Sequence, residues 1–281
     1  MSSARGDVTT SADEGDLAVT VEGLEGGLTV VFVHGWPDDR TMWRNQVETL
    51  KTRYRCAAVT LPNFGDTASE SGGCDFPAIV DRLHRTIEKL ESDRVVLVTH
   101  DWGAYIGYLY EKKYPQSLES MIALDVGGHF EPGTLREIAM FVSYQWTLIA
   151  LWLVGGLLPN LGTWLTRKFA AILQVPQRQA STLGSRCNYP YFYYWRSLVL
   201  PWARRRLLGV YRPQCPVLFI YGGKKPLMFH TDYWLDVVKQ TGGKNACIED
   251  GAHWFMEQQS DQTNELLNDW LDNNSARGVA V

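Results

Sequence analysis

Two side chains able to support covalent hydrolysis follow apolar segments of the chain, an aspartate near the middle and a histidine near the end. Asp101 follows the apolar stretch 95–98 closely and precedes a helical pattern, so its carboxylate would stand exposed at a strand-to-helix turn. Such a carboxylate can attack carbon and form an ester with its substrate. His253 lies after the last predicted strand, where it could serve as a general base. Asp101 also fits a helix N-cap and a lone loop histidine is usually a surface residue, so each pattern alone leaves both interpretations open.

The elements around these residues alternate between short apolar runs and amphipathic stretches. Strands are predicted at 28–33, 54–61, 95–98 and 118–124, with helices over 76–90 and from residue 104. After a long interruption the pattern resumes with a strand at 216–221, a helix at 232–239, a final strand before Gly251 and a helix at 264–271. Alternating strands and helices are typical of an α/β fold with a doubly wound, mostly parallel sheet.

The interruption predicts a split core with an inserted helical cap. We expect residues 1–27 to form a flexible tail with a first edge strand at 17–21, residues 28–130 and 209–281 to form the core, and residues 131–208 to form the cap. Residues 138–166 contain no charged side chain. A buried cap helix explains this stretch best because Gly-Gly and Pro interrupt it, and contact of the cap with a membrane surface is the alternative.

Composition excludes several function classes. The 281 residues carry a formal net charge of −4, which argues against a nucleic-acid partner. Five scattered cysteines without CxxC spacing predict reduced thiols in a cytoplasmic protein and no metal site. The polar, acidic first 16 residues do not read as a signal peptide.

Three motifs give the chain a resemblance to a known family: HGWP at 34–37, HDWGA at 100–104 and GAHWF at 251–255. Residues 28–272 resemble the epoxide hydrolase and haloalkane dehalogenase branch of the α/β-hydrolases, most closely the epoxide hydrolases. The resemblance implies an α/β-hydrolase fold with Asp101 as nucleophile and His253 as base. Dehalogenases often carry Asn or Glu directly after the His-Gly pair, where this chain has Trp36.

The resemblance also implies an oxyanion hole formed by the backbone N–H groups of Trp36 and Trp102, and it suggests a cis Trp36-Pro37 peptide bond. An opened epoxide leaves an alkoxide, which epoxide hydrolases bind with two cap tyrosines. Tyr144, followed by Gln145, is similar to the first of these tyrosines.

The second cap tyrosine is expected in the segment 189–196, YPYFYYWR, which is similar to the family's Trp-Tyr-Arg segment without matching it. Four tyrosines are candidates, and we select Tyr194 with Tyr193 next. We expect Tyr193 and Gln145 to contact substrate, while most of the four pack the cap against the core.

The acid that orients His253 departs from the family pattern. Most members have an Asp where this chain has Lys225, in a Tyr-Gly-x-Lys-Asp-Pro segment, and a lysine cannot orient an imidazolium. Some dehalogenases place the acid after the strand that follows the nucleophile helix, and Asp125 ends that strand here. Asp125 is therefore predicted to pair with His253, with Asp232 in reserve. An Asp that caps a loop before Gly127 is the structural alternative for Asp125.

These residues predict an epoxide hydrolase that converts a lipophilic epoxide to a vicinal diol through an Asp101 ester. The scheme requires no metal or organic cofactor, and its partner is a small molecule. Haloalkane dehalogenase is the first alternative. A non-catalytic protein that binds an apolar ligand or a membrane is the second. The sequence leaves the substrate and the oligomeric state open.

Overall fold

The computed structural model describes residues 8–10, 15–176, 182–200, 202 and 209–275. Within these residues the strands form one eight-stranded sheet in the order β1-β2-β4-β3-β5-β6-β7-β8. The first two pairings, β1 with β2 and β2 with β4, are antiparallel, and every later pairing is parallel. The strands are β1 Val8–Thr10, β2 Ala18–Gly23, β3 Thr29–Val33, β4 Arg55–Thr60, β5 Val95–His100, β6 Leu118–Leu124, β7 Val217–Gly222 and β8 Lys244–Ile248.

Both faces of the sheet are covered, which explains why its central strands read as continuous apolar runs. Along β5, Val95 and Leu97 pack into one apolar cluster while Val96 and Val98 pack into the cluster on the opposite face. The core helices are α1 Arg44–Leu50, α2 Phe76–Glu88, α3 Trp102–Lys113, α7 Asp232–Gln240, α8 Phe255–Gln258 and α9 Ser260–Ser275. The nucleophile turn, between β5 and α3, therefore lies at the end of a fully buried strand.

The segment between β6 and β7 is helical wherever it is described. It contains α4 Leu135–Leu157, α5 Pro159–Ile172, a short 3-10 helix Ser185–Asn188 and α6 Tyr189–Val199. A capping box at Thr134 and Glu137 starts α4. Leu158 alone separates α4 from α5, so the two helices form a hairpin. We keep the name cap for residues 131–208.

Two features differ from the sequence prediction. Val8–Thr10, expected within a flexible tail, form a strand that pairs with β2, because the alternating segment Val19–Val21 offers it an open edge. The last helix is longer than predicted at both ends, since polar residues flank its buried Leu267 and Leu271 and carry no apolar period of their own.

Candidate active site

Asp101 stands at the strand-to-helix turn that the sequence predicts. Its φ of 54° lies in the region that side chains other than glycine rarely adopt, so the turn holds the carboxylate in a sharply bent backbone. The turn at Asp101 and the chain around the end of β3 approach each other so closely that each has a glycine at the contact. A Cβ at Gly35 would overlap the Asp101 carboxylate, and a Cβ at Gly103 would overlap the carbonyl oxygen of Val33.

The two oxygens of the Asp101 carboxylate have different surroundings. Oδ1 accepts a hydrogen bond of 2.7 Å from the backbone N–H of Trp36, and the backbone N–H of Trp102 also bonds the carboxylate. Oδ2 lies 3.7 Å from Nε2 of His253. Burial raises the pKa of Asp101 above its ordinary value of 3.8, although His253 and the two amides oppose this effect. The mostly buried carboxylate thus has one oxygen held by amides and one directed toward the histidine.

His253 pairs with Asp125, which lies at the end of β6. Nδ1 of His253 is 2.5 Å from Oδ2 of Asp125, and Oδ1 of Asp125 accepts hydrogen bonds from the Gly222 amide and from Nζ of Lys225. Burial alone would raise the pKa of Asp125, but the Lys225 ammonium and the His253 hydrogen bond outweigh it and hold the pKa well below 3.8. Asp125 therefore stays ionised in a fully buried position.

Lys225 is part of this arrangement, a contact that sequence reasoning missed. Its side chain is 4% exposed and forms an ion pair with Asp125. Lys225, which follows β7, therefore contacts Asp125, which follows the neighbouring strand β6. Asp232, the reserve candidate, is an exposed residue in the first turn of α7, and no contact with His253 places it in the site.

Two buried polar groups hold the histidine loop. Nε2 of His100 lies 3.0 Å from the carbonyl oxygen of His253, and Asp38 accepts a hydrogen bond of 3.0 Å from the Trp254 indole. Burial lowers the pKa of His100 and raises the pKa of Asp38, in each case far from its ordinary value. In both groups burial disfavours the charged form, and both anchor the loop through these hydrogen bonds.

A cavity of about 560 Å³ opens above Asp101, and both the core and the cap line it. Tyr144 of α4 and Tyr191 of α6 pack edge to face, with ring centroids 6.1 Å apart. The charge of Asp101 contributes to the raised pKa of both phenols, after the larger effect of burial. Both hydroxyls are protonated at neutral pH and can donate hydrogen bonds.

Tyr194 and Tyr193, both selected from the sequence, differ in their position relative to the cavity. Tyr194 lines the cavity against Trp102, but Asp101 does not contribute to its raised pKa, which burial alone explains. The hydroxyl of Tyr193 donates to the carbonyl of Gly72, and this side chain, predicted to contact substrate, lies outside the cavity wall.

The register of α6 explains both outcomes. Residues 191, 194 and 198 follow the helical period and face the cavity. Because a helix rotates by about 100° per residue, residue 193 lies about 100° around the helix from residue 194, outside this face. Gln145, also in the cavity wall, donates to the hydroxyl of Tyr144 and accepts from the Trp195 indole. Gln145 therefore orients Tyr144.

The two tryptophans of the predicted oxyanion hole differ in their indoles. The Trp36 indole donates a hydrogen bond of 2.8 Å to Asn188 and is not free for a ligand. The Trp102 indole N–H borders the cavity and is directed at the Tyr191 hydroxyl, where it opposes the effect of burial on the pKa of that phenol. The Trp36-Pro37 bond is cis, as the resemblance implies.

Comparison with known proteins supports the α/β-hydrolase fold that the sequence predicts. A model of the alpha/beta hydrolase family matches residues 30–266. Epoxide hydrolase 3 of Siraitia grosvenorii is 23% identical over 298 residues, which cover 88% of this chain and 92% of that protein. For several other curated relatives the chain spans only 26% to 36% of their length.

Solved structures with the same fold belong to more than one class of hydrolase. An epoxide hydrolase from Vigna radiata superposes with a TM-score of 0.67 at 18% identity, over 96% of this chain and 98% of that one. An esterase from Thermogutta terrifontis superposes with a TM-score of 0.68 at 19% identity, over 97% and 99%. These matches confirm the predicted fold class, and the chemistry depends on the residues of the site.

Proposed function

Since the chain belongs to the α/β-hydrolase family, we propose that it is an epoxide hydrolase acting on a lipophilic epoxide. One observation carries the proposal: a carboxylate occupies the nucleophile turn, with two backbone amides on one side and the His253–Asp125 pair on the other. A serine esterase needs a hydroxyl at that turn. A carboxylate instead forms an alkyl ester with a substrate carbon.

In the first half-reaction, Oδ2 of Asp101 attacks an epoxide carbon and the carbon–oxygen bond of the ring breaks. The electron pair stays on the epoxide oxygen, which takes a proton from a cap phenol. Tyr144 and Tyr191 supply the phenols, since both are neutral donors above Asp101. The aromatic lining of the cavity favours an apolar substrate.

In the second half-reaction, His253 removes a proton from water, and the water oxygen attacks Cγ of Asp101. The negative charge that develops on Oδ1 is stabilised by the amides of Trp36 and Trp102, which already bond the resting carboxylate. The ester bond at Cγ then breaks, the diol leaves with the former Oδ2, and His253 returns its proton to the diol oxygen. The second water proton, left on the Asp101 carboxyl, returns through solvent to the cap phenolate, which restores the resting enzyme. Asp125 holds the imidazole throughout.

Haloalkane dehalogenation is a second candidate, favoured by the position of the Trp102 indole N–H at the cavity. This N–H borders the cavity beside Asp101, where a departing halide would need a donor. The same nucleophile and base would serve that reaction. The engagement of the Trp36 indole with Asn188 leaves only one indole for the halide.

The test is a single turnover of styrene oxide by excess enzyme in heavy-oxygen water, followed by mass analysis of the peptide that contains Asp101. We expect heavy oxygen in the Asp101 side chain and a diol that carries only light oxygen. A matched incubation without substrate should leave the peptide unlabelled.

Trapping the ester makes the test specific. The His253→Gln variant should accumulate a styrene oxide adduct on Asp101, whereas the Asp232→Asn variant should turn over like the parent protein. Diol that carries heavy oxygen with an unlabelled Asp101 would contradict the proposal, because water would then have attacked the epoxide directly. Bromide release from 1-bromobutane without diol from any epoxide would favour the dehalogenase.

A further inference from the structure

Charge is distributed very unequally between the cap and the rest of the chain. Residues 131–208 hold nine Lys and Arg but two Asp and Glu, out of 27 and 31 in the whole chain, so the cap has a formal net charge of +7 and the remainder −11. A polypeptide of net charge −4 thus presents a strongly cationic segment.

The outer side of the α4–α5 hairpin is apolar and open to solvent. Along α4, the exposed side chains of Trp146, Leu153 and Leu157 recur at helical spacing, opposite the face that lines the cavity, and the exposed Ile138 lies between the two faces. Leu157 is 84% exposed and Trp146 is 49% exposed. The stripe continues around the hairpin turn onto α5 with Leu158, Leu161, Trp164 and Ile172. We call these eight residues the apolar stripe.

Cationic side chains border this stripe. Arg136 is exposed in the first turn of α4, and Lys168 is exposed on α5, with its Nζ 5.9 Å from the ring centroid of Trp164. Tryptophans and long cationic side chains at the edge of an apolar surface match the interfacial region of a bilayer, where aromatic rings lie at the headgroups and ammonium groups meet lipid phosphates.

We propose that the apolar stripe binds the surface of an anionic lipid bilayer, with the α4–α5 hairpin lying in the headgroup region. The charge of the cap favours this occupant over a second copy of the chain, since two caps of +7 repel each other whereas anionic headgroups attract each of them. The proposal does not depend on the reaction catalysed.

The hairpin lies on the bilayer and does not cross it. Among the described residues, α4 is the one helix long and apolar enough to span a membrane by length and composition. However, its Gln145, Leu148 and Gly155 are buried against the rest of the protein, so the helix offers lipid one face only. Bound in this way, the cavity would lie one helix diameter, about 10 Å, from the headgroups.

The experiment is co-sedimentation of the full chain with vesicles of phosphatidylcholine, with and without phosphatidylglycerol. We expect the protein to pellet with the mixed vesicles and to bind pure phosphatidylcholine at least about tenfold more weakly. The double variant Leu157→Glu, Leu161→Glu should weaken binding to mixed vesicles about tenfold or more. A wash at high salt should release the bound protein, because the attraction is partly electrostatic.

Two controls are matched to these variants. Leu24→Glu introduces the same charge at a leucine outside the cap, which is 47% exposed, and should bind like the parent protein. Arg136→Glu with Lys168→Glu should abolish the preference for phosphatidylglycerol, whereas Arg44→Glu with Lys239→Glu, the same reversal on exposed core residues, should preserve it. Thermal unfolding followed by circular dichroism verifies that each variant is folded.

Several outcomes would overturn the proposal. Parent protein that stays in the supernatant with both vesicle types refutes it. An equal loss of vesicle binding in the Leu24→Glu control also refutes it, because the loss would then follow from the net charge of the protein and not from the apolar stripe. A dimer in light scattering that the Leu157 and Leu161 variant converts to monomer, without vesicle binding by the parent, assigns the stripe to self-association. Protein that resists high salt and is released only by detergent would show that α4 spans the bilayer.

Discussion

The core and the cap contribute opposite kinds of groups to the same cavity. Among the described residues, the core supplies the charged and titratable groups that surround Asp101, and they lie at the ends of neighbouring strands: Asp101 after β5, Asp125 after β6, Lys225 after β7 and His253 after β8. The cap supplies uncharged aromatic side chains held by other side chains, as Gln145 holds Tyr144. The charged groups are thus held at the ends of strands, whereas the neutral hydrogen-bond donors lie on the helices of the cap.

The outer surfaces of the core and the cap differ as well. The core buries its apolar residues between sheet and helices, while the cap leaves an apolar stripe exposed. Variants in the core should therefore affect ionisation and stability, and variants in the cap should affect rate or binding with little effect on folding.

The largest effect is expected when the core loses the acid that orients His253. Asp125→Asn should slow hydrolysis of the ester by about 10³- to 10⁴-fold, because the imidazole loses its preferred tautomer and its counter-charge. Formation of the ester should be affected much less. Rapid-quench kinetics with styrene oxide separates the two steps, and Asp232→Asn is the control. Equal slowing of both steps would contradict the assignment.

Lys225→Met should lower the free energy of unfolding by about 3 kcal/mol, because a buried carboxylate loses its cationic partner. Lys225→Arg keeps the charge and should recover most of the loss. The pKa of Asp125 is lower in the folded protein than its ordinary value of 3.8. The ionised carboxylate therefore stabilises the folded protein fully above pH 3.8, and this stabilisation is lost as the pH falls below 3.8. The difference between Lys225→Met and the parent in urea unfolding should therefore narrow below pH 3.8, and a constant difference would show that Lys225 acts through packing.

In the cap, Tyr144→Phe and Tyr191→Phe should each lower the rate of ester formation by about a hundredfold without lowering the melting temperature. Tyr194→Phe should change this rate by less than about threefold, because Asp101 does not contribute to the raised pKa of its phenol. Single-turnover kinetics of the three variants tests the comparison. A larger effect at Tyr194 than at Tyr191 would restore the choice made from the sequence.

The smallest effect is a shift in pH dependence. Ester formation requires ionised Asp101, whose pKa is raised by burial, so its rate should fall with decreasing pH at a midpoint above 3.8. Because His253 lowers the pKa of Asp101, the His253→Gln variant should move this midpoint to higher pH. A midpoint at or below 3.8 in both proteins would contradict the environment described for the carboxylate.

The strands and the chain order of the site could be predicted from the sequence because each depends on local pattern. Apolar runs that end in polar residues mark the central strands, and Asp101 and Asp125 each follow one of these runs, while His253 follows the more polar β8. The ends of parallel strands meet at one edge, so proximity of these residues follows from topology.

Contacts between side chains distant in sequence could not be predicted in this way. The pairing of Lys225 with Asp125 depends on two neighbouring loops, and local pattern gives no sign of it. The choice among the tyrosines of α6 depends on where the helix begins: a start at Tyr189 places Tyr191 and Tyr194 on the cavity side and Tyr193 beside Arg196. Aromatic runs hide this register because every position is apolar.

The hydrogen bond between the Trp36 amide and Oδ1 of Asp101 has a consequence for the fate of individual atoms. In the proposed reaction only the oxygen facing the histidine departs with product, and the incoming water oxygen takes its place. The oxygen fastened to the amide is never exchanged. After many cycles in isotopically enriched solvent, each Asp101 should retain one original oxygen atom, so that labelling stops at half of the carboxylate.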